Sequence, residues 1–190
     1  MQLREERREQ ILQAALKVFS RRGLAATKIS DIAKEANLSH GLVYHYFNSK
    51  DEIFITLVKR ALEGSKHVVD LASQQKLSPI DQLHWLTKTI LTGLSYDGAY
   101  FFLIIVQAFT SDAVPDQVKE MVSSNSSSTF EGILPIILAG QQAGQIVKED
   151  PAKLGSSYFA MIQGISLQQV QQVGTVTAPD AELILKIFKP

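Results

Sequence analysis

The chain has 190 residues, 45% of them hydrophobic and none of them cysteine, so it can bury a substantial core but cannot form disulfides, thiolate metal sites or thiol nucleophiles. Its 19 basic and 19 acidic residues cancel overall yet are segregated: residues 1–60 hold 11 Lys+Arg against 7 Asp+Glu, and residues 61–190 hold 8 against 12. All six arginines, Arg4, Arg7, Arg8, Arg21, Arg22 and Arg60, fall in that first third, which suits a small module that meets a polyanion joined to a larger one that does not.

A solvated basic face would give the same count, so charge alone leaves both readings open. The charged start, Met1 to Gln10, lacks the apolar stretch of a signal peptide. The longest apolar run, Ala99 to Val106, is far short of the roughly 18 residues a membrane span needs. A cytoplasmic protein without membrane attachment is expected.

Helical periodicity runs through nearly the whole chain. Ile11, Leu12, Ala15, Leu16 and Phe19 share one face, and Gly23 stops that first helix. A short second helix follows, with Thr27 as its expected N-cap, Asp31 in its first turn and Ile29, Ile32, Ala33 and Ala36 as its stripe. Asn37 sits where the chain must turn sharply and tolerates the left-handed conformation. Ser39 caps a third helix, whose Val43 and Phe47 point inward.

Ser49-Lys50-Asp51-Glu52 reads as a capping box that opens a fourth helix through Ile53, Phe54, Leu57, Val58 and Leu62. Ser78-Pro79-Ile80-Asp81 starts the next, which runs to a break at Tyr96-Asp97-Gly98. Ala99 to Phe109 is apolar on all sides except Gln107, the mark of a buried helix. Pro115 opens another, and the seven polar residues Ser123 to Thr129 with Pro135 beyond predict a kink or break inside it. Pro151 begins a helix carrying Leu154, Tyr158, Met161, Ile162 and Ile165, and a last one is expected over Asp180 to Phe188. No strand pattern, internal repeat or phosphate-binding glycine loop occurs, so the fold class is all-α.

Two short helices, Lys28 to Ala36 and His40 to Phe47, joined by Asn37-Leu38-Ser39, have the dimensions of a helix-turn-helix, whose second helix enters the major groove. Its outward residues would be His40, Gly41, Leu42, Tyr44, His45 and Tyr46. The histidines can exchange hydrogen bonds with base edges, Leu42 can touch a thymine methyl, Gly41 permits close approach, and the two phenols can reach phosphate oxygens. Lys50 opposes the dipole at a helix start, a conflict that a bound phosphate would remove and that exposure to water would equally tolerate.

The run Leu38-Ser39-His40-Gly41-Leu42-Val43-Tyr44-His45-Tyr46-Phe47-Asn48-Ser49-Lys50-Asp51-Glu52-Ile53, preceded by Ile32-Ala33-Lys34-Glu35-Ala36, resembles the DNA-binding signature of the TetR-family transcriptional regulators. The likeness covers roughly residues 8–56 and departs at Asn37, where that family usually has Gly. Gly144-Gln145-Ile146, Asp150-Pro151 and Gly164 resemble the spacing around its dimer-forming helices. The resemblance implies a three-helix DNA-binding head, residues 1–48, and a helical effector-binding and dimerisation body, residues 49–190, acting as a homodimer on a palindromic double-stranded operator. It also implies base contacts from His40 and Leu42, and backbone contacts from Thr27, Lys28, Tyr44, Tyr46 and Lys50, with Ser39, Gly41 and His45 on the same surface.

The aromatics Trp85, Tyr96, Tyr100, Phe101, Phe102 and Phe109 lie where the resemblance places an effector cavity, with Gln107 as a polar contact; ordinary core packing explains the same residues. Small residues such as Ala139, Gly140, Ala143, Gly144, Gly155, Ser156, Ser157, Ala160 and Gly164 allow close helix approach, between subunits or within one chain. His40, His45, His67 and His84 are too scattered for a metal site, and nothing resembles a catalytic constellation. The expectation is a regulator and not an enzyme, without cofactor or metal: a repressor released from DNA by a small lipophilic or aromatic effector. An effectorless dimeric DNA-binding protein, or an activator, is the alternative.

Overall fold

Helices supply every regular element among the described residues, as the sequence periodicities predict. The computed structural model describes residues 2–171 and 179–190, the side chains at 2, 95, 96, 170 and 171 excepted. In chain order the elements are α1 (Gln2–Ala26), α2 (Ile29–Glu35), α3 (His40–Tyr46), α4 (Lys50–Gln74), α5 (Pro79–Gly93), a π-helical turn (Leu94–Gly98), α6 (Ala99–Thr110), α7 (Asp116–Gln142), α8 (Pro151–Gln171) and α9 (Ala181–Ile184), which continues as a 3-10 turn (Leu185–Phe188).

They gather into two units, residues 1–62 with 100–123 and residues 63–99 with 124–190. The first unit thus holds α1 to α3, the start of α4, nearly all of α6 and the start of α7. Its core is built on Ile11, Leu12, Leu16 and Phe19 of α1, Ile32 of α2, Val43 of α3, and Phe54 and Leu57 of α4. Ile104 and Ala108 of α6 and Val118 and Val122 of α7 complete it, and all of these are buried. Phe19 and Phe54 meet edge to face with ring centres 5.3 Å apart. Each such aliphatic or aromatic side chain contributes about 1.5–3 kcal/mol on burial, so the three-helix head is stabilised by elements that lie well beyond it in sequence.

The second unit closes around Val69, Leu83, Leu86, Ile133, Ile137, Tyr158, Ile184 and Phe188. The fully buried Tyr158 hydroxyl lies 3.0 Å from Thr87 Oγ1, and that hydroxyl donates to the Leu83 carbonyl at 2.7 Å. Burial pushes the Tyr158 phenol up to about 12, the Thr87 hydrogen bond acting the other way.

Two sequence expectations are corrected here, and the form of two others is specified. Thr27 does not cap α2: the N-cap is Lys28, in extended conformation, whose N–H donates to the Asp31 carboxylate at 2.9 Å. Helix α7 runs unbroken through Ser123 to Thr129 and through Pro135. Ile133, Ile136 and Ile137 are buried while Pro135 is exposed, so burial of that stripe outweighs weak local propensity and one missing N–H. The final helix is α-helical only through Ile184 before tightening to 3-10, with Asp180 capping its start by accepting from Leu183 N–H at 2.7 Å. The break at Tyr96-Asp97-Gly98 takes the form of the π-helical turn, where a Cβ on Gly98 would lie 2.7 Å from the Gly93 carbonyl oxygen, so only glycine fits.

Candidate nucleic-acid interface

Helix α1 loses helical geometry at Gly23 (φ 77°, ψ 166°), a backbone conformation that L side chains rarely adopt, which leaves carbonyls near its end in need of donors. Three side chains supply them. Gln107 of α6 donates from Nε2 to the carbonyls of Phe19 (2.9 Å) and Ser20 (3.4 Å). Thr27 Oγ1 donates to Gly23 at 2.7 Å. Lys50 Nζ donates to Leu24, Ala25 and Thr27 at 2.7, 3.3 and 3.0 Å. These bonds fix the connection that delivers the chain into α2.

Helix α2 ends in a Schellman motif. Leu38 N–H donates to Ala33 at 2.9 Å and Asn37 N–H to Lys34 at 3.1 Å, with Asn37 in the left-handed conformation (φ 54°) that this motif requires. Asn thus does here what Gly does in the resembling family. Ser39 then caps α3, its hydroxyl accepting from Leu42 N–H at 3.2 Å. At the other end of α3, Ser49 Oγ accepts from Glu52 N–H at 3.1 Å, while the Glu52 carboxylate reaches back to Asn48 N–H at 2.8 Å, one residue earlier than a regular capping box.

Between those caps α3 turns Val43 inward at 0% exposure and presents His40, Gly41, Tyr44 and His45 outward, with Leu42 and Tyr46 half-buried. The His40 and Tyr44 rings meet edge to face at 4.9 Å, as do His45 and Tyr46 at 5.2 Å, so the aromatic surface is held in place before any partner arrives. Lys28 is exposed at the start of α2, beside Asp31, which is salt-bridged to Arg22 at 3.1 Å. The Lys28 backbone N–H and the Arg22 guanidinium hold the Asp31 carboxyl below the usual carboxylate range.

Two residues of the expected DNA surface have their side-chain polar groups engaged within the first unit. Thr27 is 1% exposed with its hydroxyl committed to Gly23, and the three N–H donors of Lys50 are engaged by three backbone carbonyls. The apparent conflict between Lys50 and its helix dipole is therefore answered inside the head. Nothing in the sequence spacing singles out Gln107 for its part in this connection, because its partners are 88 and 87 residues away.

The expected effector residues are divided between the two units. Tyr100 and Phe101 pack against the core of the first unit, to which Gln107 also belongs, and Phe109 is exposed. Trp85 packs against the core of the second unit, and the Tyr96 side chain lies outside the described residues. The second unit instead opens a cleft of about 460 Å³ lined by His84, Lys88, Leu91, Ile165, Gln169 and Asp180, among others. The small residues also divide. Gly140 and Gly155 lie against Ile146 and Phe130 of the same chain, whereas Ser156, Ser157, Ala160 and Gly164 of α8 are exposed. Among the described residues no three His, Asp or Glu side chains converge as metal ligands, and no helix is long and apolar enough to cross a membrane.

An exposed, doubly capped seven-residue helix, set by a tight turn against a second short helix, is the reading element of a helix-turn-helix DNA-binding protein. Residues 11–57 match the family described as "Bacterial regulatory proteins, tetR family". The chain is 24% identical to the HTH-type transcriptional regulator TtgR of Pseudomonas putida over 165 residues, 85% of this chain and 79% of that one. It is 39% identical over 79 residues to the HTH-type transcriptional regulator HbdR of Aromatoleum sp. (strain CIB); that match spans 42% of this chain and about a third, 34%, of HbdR's length. The crystal structure of AibR in complex with isovaleryl coenzyme A and operator DNA shares the fold, with a TM-score of 0.75 at 15% identity over 97% of this chain and 99% of AibR. Residues 11–57 thus form a DNA-binding domain of the tetR family, and the relatives that the chain resembles over most of its length are transcriptional regulators and not enzymes.

Proposed function

We propose that this regulator is a homodimeric repressor that binds a palindromic operator and is released by a small lipophilic or aromatic effector. The observation that carries the reading is the exposed, capped face of α3, with His40 and Leu42 as base readers and Lys28, Tyr44, His45 and Tyr46 as neighbouring contacts. Ser39 and Gly41 sit on the same face, Ser39 as the cap that orients it. Thr27 and Lys50 act through the turn that positions α2, since their polar atoms are engaged within the head. Head and body divide functionally near residue 48, although the packed unit containing the head extends to residue 62 and takes in residues 100–123.

Dimerisation is supported by the unpaired surface of the second unit. Leu138 of α7 and Leu167 of α8 are 46% and 44% exposed, and Ser156, Ser157, Ala160 and Gly164 allow a second helix to approach α8 closely. An effector is supported by the cleft at His84, Lys88 and Leu91, and AibR, of the same fold, is described in complex with an acyl coenzyme A and with operator DNA. Trp85, Tyr96, Tyr100, Phe101, Gln107 and Phe109 remain candidates for sensing that ligand. Selection of duplexes from a random pool tests the reading: enrichment of a two-fold symmetric sequence supports it, and no enrichment overturns it. A thermal-shift screen of lipophilic compounds, followed by release of the selected duplex, tests the effector. Full occupancy without release would favour the effectorless alternative.

A further inference from the structure

Helix α1 begins well before the head's core does. Its first buried residue is Ile11 and Leu3 to Arg7 are exposed, so about 8 Å of helix at 1.5 Å per residue extends ahead of the packed region. Charge is sorted around this overhang. At 3.6 residues per turn Arg4, Arg7 and Arg8 fall within about 100° of one another, and Glu5, Glu6 and Glu9 occupy the opposite side.

The arginine side is tied to the reading helices. Arg8 stacks over the ring of Phe47, the C-cap of α3, at 4.9 Å. Arg7 donates to Gln10 Oε1 at 2.6 Å, and Gln10 Nε2 donates to the Ala36 carbonyl, where α2 enters the turn, at 2.8 Å. The glutamate side is tied elsewhere: Glu9 accepts from Arg60 at 2.6 Å and from Gln13 at 3.2 Å. Among the described residues none of Arg4, Arg7 and Arg8 pairs with a carboxylate. Three such cations in the first two turns of a helix sit at the positive end of its dipole, an arrangement that an external anion relieves.

We propose that the arginine side of the α1 overhang is a second DNA-contacting surface, gripping phosphates beside the groove that α3 enters. Charge complementarity and continuity with the α3 surface, through Phe47 and Ala36, identify the occupant as the duplex backbone. Guanidinium groups suit it because their fork of donors matches phosphate oxygens. The contacts carry no base information, so they operate on any sequence and add to the specific contacts of α3. The proposal rests on the DNA-binding assignment of the head.

Fluorescence anisotropy of the full chain with a short mixed-sequence duplex, titrated from about 0.05 to 0.2 M NaCl, tests it without knowledge of the operator. The double variant Arg4→Ala/Arg7→Ala should lower the slope of log K against log salt by about 0.9 for each phosphate that is no longer neutralised, close to two units in all, with an unchanged melting temperature. Lysine at both positions should restore most of the slope. Lys153→Ala, which removes an exposed cation of the second unit, controls for net charge and should leave the slope unchanged. Parallel salt plots for wild type and the double variant overturn the proposal while the wild-type slope upholds DNA binding by the head; no binding by wild type at low salt overturns both.

Discussion

The ammonium group of Lys50 donates to the Leu24 carbonyl oxygen at 2.7 Å, tying the first residue of α4 to the connection between α1 and α2 across 26 positions of sequence. With Ala25 and Thr27 as its other two acceptors, the group behaves as a charged cap on the end of α1 and the residues that join it to α2.

Lys50→Ala is therefore expected to lower the stability of the protein by about 1–2 kcal/mol, the lower part of the range for hydrogen bonds to a charged group because the site is partly exposed. DNA affinity should fall with it as α2 loses its fixed start. The salt slope should change little, which separates this positioning role from a direct phosphate contact. Thermal melting and salt titration of the same variant decide: an unchanged melting temperature with a slope lower by about one unit would restore Lys50 to the phosphate surface.

Base preference is expected to reside in His40 and Leu42, which lie on the first turn of α3 after the Ser39 cap. Replacing His40 by Ala should cost about 1–3 kcal/mol at one operator position and little at others, with a smaller effect for Leu42. Competition binding with single-position variants of a selected operator measures this. A uniform loss across all variants would mean that these residues only support the helix.

The legibility of the head follows from how local its determinants are. The Ser39 cap, the Asn37 turn and the Val43 and Phe47 anchors each act within a few residues of their partners, so spacing alone reveals them. The partners of Thr27 and Lys50 are not legible for the opposite reason. A hydroxyl before a short helix reads as a cap and a lysine at a helix start reads as a phosphate ligand, until distant carbonyls claim both. The aromatics from Trp85 to Phe109 carry no periodicity that separates cavity wall from core, and the structure divides them between two units. Helix α7 is read wrongly through Ser123 to Thr129 because propensity is local while the burial of Ile133, Ile136 and Ile137 is not.

Stability at high pH should report on Tyr158. Its phenol is pushed up to about 12 by burial, so its contribution is fully present below the ordinary phenol value near 10 and is lost as the pH rises from there through about 12. Urea unfolding between these limits should show a falling free energy that Tyr158→Phe largely abolishes, the variant itself costing about 1 kcal/mol at neutral pH through the lost bond to Thr87. An equally steep fall in the variant would assign the effect to other groups.

Gln107 leads to the final expectation. Its Nε2 binds the Phe19 and Ser20 carbonyls, while its Oε1 is buried without a partner among the described residues, an arrangement that costs stability and so points to a role beyond packing. Helix α4 runs from one unit into the other, dividing after Leu62, and α6 starts at Ala99, the last residue of its chain segment in the second unit, so each is a chain connection through which a ligand could act on the head. On the α6 route Gln107 is the grip on α1. Gln107→Leu removes the donor and the orphan acceptor together, so the net change in stability should be small. Its effect should instead fall on coupling. Under the proposed function, operator DNA and effector weaken each other's binding by the same factor, with an expected coupling of roughly 1–3 kcal/mol in the wild type. Calorimetric titration of an identified effector with and without a selected operator measures that coupling, and in Gln107→Leu it should shrink while DNA affinity without effector stays near wild type. Equal effector affinities with and without operator in the wild type would show that the ligand does not control DNA binding. Full coupling in the variant would leave α4 as the route.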